Sequence, residues 1–316
     1  MILGAGVAGY FAVRQQLIWP NPKVVFAGGD RSGWMDLPLP GGLIDLPARV
    51  GWTRVRAVVD SGAEYSAIDA GVAQRLALPA ATPIPMVAFG VSGAPSLTRA
   101  VTLDADFGAF AVKGLRAATL NLQPLTGLTR QPFALLLGRD FLRSVIAEVD
   151  FPRGRAAFFA PAAWRAPADA RSAAVRVQSG GLMVPVGIEG APPVEVMLDT
   201  GATGALALSE ETARSAGLLD GRPLRSGQSV TLGGVSQDGM VQAREIVFAG
   251  RRLADIEVQI YRPAANAPVP KGLLGLGVLQ RFHLALDLAG GRLFLIGPEA
   301  APVQPPHRGH ARFAAD

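Results

Sequence analysis

From about residue 41 onward the chain is built from short apolar runs, many of them alternating with polar positions and each closed by a turn residue. Residues 55–60 (VRAVVD), 101–110 (VTLDADFGAF) and 155–159 (RAAFF) have this form in the first half. Residues 194–199 (VEVMLD), 228–234 (QSVTLGG), 244–250 (REIVFAG), 254–260 (ADIEVQI) and 292–296 (RLFLI) have it in the second. A period of two places alternate side chains on one buried face, so these runs predict strands of a β-rich protein. Two segments break the period, Ala70 to Leu76 and Glu210 to Gly217, and predict short helices. There are 38 glycines and 25 prolines among 316 residues, a density of breakers that disfavours long helices.

The pattern occurs twice. Gly41-Gly42-Leu43 recurs as Gly180-Gly181-Leu182, and Asp60-Ser61-Gly62-Ala63 recurs as Asp199-Thr200-Gly201-Ala202, both at an offset of 139 residues. Leu136-Leu137-Gly138 recurs as Leu273-Leu274-Gly275, and Asp150 and Arg155 recur as Asp287 and Arg292, at an offset of 137. Four anchors in one order, at a period far beyond that of a solenoid, indicate a duplicated domain. The boundaries predicted are 1–40 for an apolar N-terminal segment and linker, 41–162 for lobe 1, 163–177 for an Ala/Pro/Arg-rich linker, 178–297 for lobe 2 and 298–316 for a flexible tail.

Composition removes several chemistries. There is no cysteine, so disulfides, thiolate nucleophiles and Cys-based metal sites are excluded. The three histidines are His283, His307 and His310, two of them in the Pro-rich tail, and His283 reads as a strand residue within FHLALDL. The net charge of +5 is scattered, without a basic run interleaved with aromatics, which argues against nucleic-acid binding. Gly4, Gly6 and Gly9 fit GxGxxG, but only three residues precede them and no alternation of strand and helix follows, so the dinucleotide reading fails. The uncharged start MILGAGVAGYFAV is too short to span a bilayer. It suits the hydrophobic stretch of a signal sequence or the end of a membrane tether, and a pro-segment is a third reading. An exported, periplasmic or inner-membrane-tethered protein is therefore expected over a cytoplasmic one.

Carboxylates remain. If the two lobes pack about a twofold axis, Asp60 and Asp199 meet there. Two carboxylates a few ångströms apart share one proton and titrate as a pair. One then takes a proton from a bound water while the other donates one to the attacked carbonyl, without metal or cofactor. Around them, Gly62 and Gly201 permit a tight turn, Ser61 and Thr200 supply hydroxyls that can bond across the axis, and Ala63 and Ala202 are small enough for close approach. Asp150 and Asp287 precede Arg-containing turns and read as hairpin salt-bridge residues. Asp104, Asp106 and Asp140 have no repeated carboxylate partner and receive no catalytic role.

These segments resemble the retropepsin-like aspartic proteases. AVVDSGAEYSAID is similar to that family's active-site segment and LLLGRDFL to its second signature, with VMLDTGATGALAL and GLLGLGVLQRF in the second half. The resemblance implies two homologous acid-protease β-barrel lobes with a cleft between them. It implies catalysis of peptide hydrolysis by Asp60 and Asp199, and support of their loops by the strands ending at Leu137-Gly138 and Leu274-Gly275. It also implies flaps near Gly90-Val91-Ser92 and Gly234-Val235-Ser236, an extended polypeptide as partner, and a monomer that supplies both aspartates itself. Leu276 and Gly277 depart from the pattern, standing where lobe 1 has Arg139 and Asp140. The alternatives are a catalytically silent peptide-binding module of the same fold, and an envelope-associated structural domain.

Overall fold

A computed structural model describes residues 19–38, 42–81, 86–88, 96–126, 132–178, 181–231, 234–262 and 270–297. The first half contributes β1 (Lys23–Phe26), β2 (Arg31–Asp36), β3 (Ile44–Val50), β4 (Thr53–Val59), β5 (Ala67–Asp69), β6 (Met86–Ala88), β7 (Ser96–Thr98), β8 (Ala100–Asp106), β9 (Phe110–Leu120), β10 (Leu135–Leu137), β11 (Ile146–Asp150) and β12 (Arg155–Phe159). Next come β13 (Ala170–Ala173), β14 (Arg176–Gln178), β15 (Gly181–Ile188), β16 (Ala191–Leu198), β17 (Leu206–Ser209) and β18 (Arg225–Thr231). The last are β19 (Gly234–Phe248), β20 (Arg251–Tyr261), β21 (Gly272–Leu274), β22 (His283–Asp287) and β23 (Arg292–Ile296). The mainly β, two-lobed architecture expected from the sequence is the one the chain adopts.

Each lobe closes on itself with the same order of strands. In lobe 1 the pairing runs β3-β4-β10-β5-β9-β8 and returns from β8 to β3; in lobe 2 it runs β15-β16-β21-β17-β20-β19 and returns to β15. Closure removes the unpaired edges that an open sheet would expose. Alternation fills each interior. In β3, Ile44, Leu46, Ala48 and Val50 are buried while Pro47 and Arg49 are exposed. In β20, Leu253, Ile256, Val258 and Ile260 are buried. The tight hairpins have the chemistry they need. Gly51, at φ +56°, turns β3 into β4, and Glu189-Gly190, both at positive φ, turn β15 into β16. The helices predicted after the Asp motifs are present as Ala70–Arg75 and Glu210–Ser215, capped by the Asp69 carboxylate and the Ser209 hydroxyl.

A third sheet joins the lobes, in the order β13-β23-β22-β11-β12-β2. Its seam is the antiparallel pair β11–β22, in which Glu148 faces Ala285 and Asp150 faces His283. Residues 23–36 and 170–178, which the sequence leaves as linker, thus contribute strands. β1 pairs with β9, β2 covers the edge of β12, β13 covers β23, and β14 pairs with β15. These strands are short and half exposed, so their apolar signal is weak, and edge pairing rather than burial holds them. Asp150 and Asp287 are hairpin residues as expected. Asp150 bonds Arg153 at 3.0 Å and Arg155 at 3.1 Å, and Asp287 accepts from the Gly290 N–H at 2.8 Å. Among the described residues no helix is long and apolar enough to cross a membrane. Residues 1–18, on which the signal, tether and pro-segment expectations fall, lie outside the described residues, as does the tail 298–316.

At the seam, Glu148 accepts from the His283 imidazole at 2.9 Å and from Trp164 Nε1 at 2.7 Å. Burial pushes this carboxyl up, but the two hydrogen bonds and the imidazole charge outweigh it and hold the group below its usual range. A depressed folded-state pKa stabilises above the unfolded carboxyl value, and the contribution is lost as pH falls through the folded value. Glu148→Ala leaves two donors without their acceptor and should cost about 2–3 kcal/mol at pH 7. Chemical denaturation should show that cost shrinking between pH 5 and pH 3. A cost that is equal at both would remove the ion pair as its cause.

Candidate active site

The centre of the molecule is made by two loops that leave equivalent strands at equivalent points. β4 ends at Val59 and β16 at Leu198. The next residue in each case is an aspartate whose N–H bonds the last carbonyl of the neighbouring parallel strand, Asp60 to Leu137 and Asp199 to Leu274, both at 2.9 Å. The strands ending at Leu137 and Leu274 thus lie beside the Asp loops. Past each strand the chain turns under the loop, with Arg139 N–H bonding the Ala63 carbonyl at 2.9 Å and Leu276 N–H bonding that of Ala202 at 2.8 Å. A Cβ on Gly138 would lie 2.7 Å from the Tyr65 carbonyl carbon, and one on Gly275 would lie 2.5 Å from the Gly204 oxygen, so close packing requires glycine at both positions.

Each loop wraps its own carboxylate in backbone donors. Asp60 Oδ1 accepts from Gly62 N at 2.8 Å and Ala63 N at 3.2 Å; Asp199 Oδ1 accepts from Gly201 N at 2.8 Å and Ala202 N at 3.1 Å. Each loop also seats the other lobe's carboxylate. A Cβ on Gly62 would fall 2.4 Å from Asp199 Oδ2, and one on Gly201 would fall 2.4 Å from Asp60 Cγ. Only glycine leaves room for the two acids to meet. Asp199 is half-buried by accessible surface; desolvation first, then the Asp60 charge and the bond to it, push its carboxyl well above the usual range against the pull of the Gly201 and Ala202 amides.

The hydroxyls lock the loops together reciprocally. Ser61 Oγ donates to the Leu198 carbonyl at 2.8 Å and accepts from Thr200 N at 3.0 Å. Thr200 Oγ1 donates to the Val59 carbonyl at 2.9 Å and accepts from Ser61 N at 3.0 Å. Both residues are buried, so these four bonds have no competition from water.

Several supporting residues were not legible beforehand. Asp140, 1% exposed, accepts from Trp19 Nε1 at 2.9 Å, Ser66 Oγ at 2.8 Å and Ser66 N at 3.0 Å, and the Gly138 N–H closes the chain on Ser66 Oγ at 3.1 Å. Burial raises the Asp140 carboxyl against these donors. Trp19 also packs its ring on Tyr65, 4.6 Å between centroids. The unrepeated Asp140 was the available signal; the Trp19 end of the tie, 121 residues away, carried none. Of the flap candidates, Gly234, Val235 and Ser236 lie on the hairpin of β18 with β19, opposite Thr231, Val230 and Ser229. Gly90, Val91 and Ser92 lie outside the described residues, between the paired strands β6 and β7. Among the described residues no group of three or more His, Asp or Glu is placed to hold a metal ion.

Two measurements on the folded protein test this geometry. Ser61→Ala removes the partners of a buried N–H and a buried C=O and should cost about 2–4 kcal/mol. In a double-mutant cycle with Thr200→Val the two costs should fail to add by more than about 0.5 kcal/mol; simple additivity would mean the lock is not made. The raised Asp199 carboxyl stabilises the fold below the unfolded carboxyl value, and that contribution is lost as pH rises through the folded value. Asp199→Asn should therefore gain stability relative to the wild type as pH rises from 4 to 9. A constant difference would contradict the placing of two acids side by side.

A family model described as aspartyl protease matches residues 46–141 and, a second time, residues 184–278. Among solved structures, the chain is similar to a retropepsin-like aspartic protease from Rickettsia conorii, at 20% identity over 42% of this chain and 95% of that one, with a TM-score of 0.32. It is also similar to basic 7S globulin from soybean, at 11% identity over 88% of this chain and 96% of that one, with a TM-score of 0.44. A comparison with curated proteins finds no match. The two matched segments fall one in each barrel, each contains one of the two paired-loop aspartates, and together they cover more than half of the residues: the chain belongs to the aspartyl protease family.

Proposed function

We propose that the chain is an aspartic endopeptidase in which Asp60 and Asp199, one from each lobe, form the catalytic pair. The observation that carries this is the reciprocal seating of each carboxylate against the other lobe's glycine. Like charges about 3 Å apart repel by roughly 5 kcal/mol even at an effective dielectric of about 20, so the resting pair carries one proton and one negative charge. A water held between them loses a proton to the charged carboxylate and attacks the peptide carbonyl carbon. The protonated carboxyl gives its proton to the carbonyl oxygen. On collapse the C–N bond breaks, the nitrogen leaves with the proton the pair took from water, and one hydroxyl of the tetrahedral intermediate returns its proton to the pair as the new carboxyl forms, which restores the single shared proton.

The substrate is an extended polypeptide laid across the pair, with the hairpin of β18 and β19 as a flap. Both aspartates come from one chain, so a monomer suffices. The sheet that joins the lobes supports this, because it fixes the two barrels by continuous β-pairing as well as at the loops.

The test is hydrolysis of an unbiased peptide mixture between pH 3 and pH 8. Cleavage should appear on the acid side, and Asp60→Asn and Asp199→Asn should each lower it by about 10⁴-fold while leaving the protein folded. Specific activity should stay constant on dilution. Full activity in either variant would remove the pair from catalysis. Peptide binding without cleavage in the wild type would instead support the catalytically silent peptide-binding module.

A further inference from the structure

We propose that Arg139 makes the two carboxylates unequal: its charge, delivered through the Gly62–Ala63 peptide group, keeps the negative charge of the pair on Asp60 and leaves the shared proton on Asp199. The inference rests on the reading of Asp60 and Asp199 as the reacting pair. Arg139 touches neither water nor substrate in it and is a positioning residue.

Arg139 is 5% exposed and lies under the Asp60 loop. Its Nη1 donates to the Gly62 carbonyl at 3.0 Å and reaches across to lobe 2, 3.5 Å from the Met197 sulfur. The Gly62 carbonyl belongs to the same peptide group as the Ala63 N–H, which donates to Asp60 Oδ1 at 3.2 Å. A cation on the oxygen of a peptide polarises its N–H, so guanidinium, peptide and carboxylate form a chain of charge-assisted hydrogen bonds whose last member is Asp60.

Lobe 2 has the chain without its cation. The Gly201–Ala202 peptide donates to Asp199 Oδ1 at 3.1 Å in the same way. The position of Arg139 is held there by Leu276, fixed as equivalent by the matching bonds of the two backbone N–H groups to Ala63 and Ala202. Leu276 is buried and has neither charge nor donor. The carboxylates nearby differ in the opposite sense, since Glu64 and Asp140 of lobe 1 correspond to Thr203 and Gly277, so Arg139 is the element of lobe 1 that favours charge on Asp60. Of the groups facing Arg139, Glu64, Asp60 and Asp199 attract its charge and Arg143 repels it, while burial opposes it. Glu64 is exposed and screened by water, whereas the pair is half-buried, so the cation acts on the acids through the less solvated path. Asp60 would then be the base that activates water and Asp199 the acid that protonates the carbonyl oxygen.

Three variants separate charge from hydrogen bonding. Arg139→Lys keeps the charge, Arg139→Gln keeps a donor to Gly62 without charge, and Arg139→Met keeps neither. The acid limb of kcat/KM against pH reports the first ionisation of the pair. A cation favours the ionised state, so its loss should move that limb upward by about one pH unit in both Arg139→Gln and Arg139→Met, a tenfold loss of activity on the acid side. Arg139→Lys should hold the limb within about 0.3 unit. Carbon-13 titration of the aspartate carboxyls should show the same upward step. An unmoved limb and titration in Arg139→Gln would overturn the proposal, as would Arg139→Lys shifting as far as Arg139→Gln. Absence of cleavage in the wild type would count against the peptidase reading alone, because the carboxyl titration still decides whether Arg139 biases the pair.

Discussion

Two carboxylic acids brought together where the lobes meet, each seated against the other lobe's glycine, are the constraint to which the rest of the molecule answers. Left alone they would separate into water, because desolvation and mutual repulsion both oppose the arrangement. Holding them requires two loops that cannot move apart, and the reciprocal bonds of Ser61 and Thr200 provide that restraint at the point of greatest repulsion. The restraint works only if each loop is anchored behind. The parallel pairings β4–β10 and β16–β21 do this, and they exist because each lobe is a closed barrel that brings a distant strand back beside the one carrying the acid.

The sheet joining the lobes meets the same constraint from the other side. Loops locked at one point would still allow the barrels to rock about it. Continuous β-pairing through β11 and β22, reinforced by Glu148 held between His283 and Trp164, gives a second attachment. Two separated attachments fix the relative orientation of two bodies far better than one, and catalysis is sensitive to displacements of about 1 Å.

How much of this could be read in the sequence follows from where each interaction lies along the chain. The duplicated Asp-Ser/Thr-Gly-Ala and apolar-Gly segments are local patterns that appear twice, so Asp60, Asp199, the hydroxyls and the supporting strands were legible together. β1, β2, β13 and β14 were not, because an edge strand of three to six residues with little apolar content looks like linker until its partner is known. The tie from Trp19 to Asp140 joins residues 121 positions apart, and Glu148 to His283 joins residues 135 apart; neither is repeated, so no internal comparison could reveal them. His283 was correctly placed in a strand from its apolar neighbours, but its partner was invisible for the same reason.

Duplication within one chain also frees the site from symmetry. When two identical chains meet, every substitution appears twice, and a cation beneath one acid would appear beneath the other. Here the two halves vary independently, and they have done so where it matters: Arg139 and Asp140 beneath one loop, Leu276 and Gly277 beneath the other, with exposed Glu64 and Thr203 following the two loop motifs. The groups that touch the acids remain equivalent, down to backbone bonds that agree within about 0.1 Å. A mechanism that asks one acid to give a proton while the other takes one gains from that division, because the pair need not choose at random which member is charged. The reacting geometry is thus kept symmetric by the loops themselves, while the charge that distinguishes the two acids is set one layer beneath.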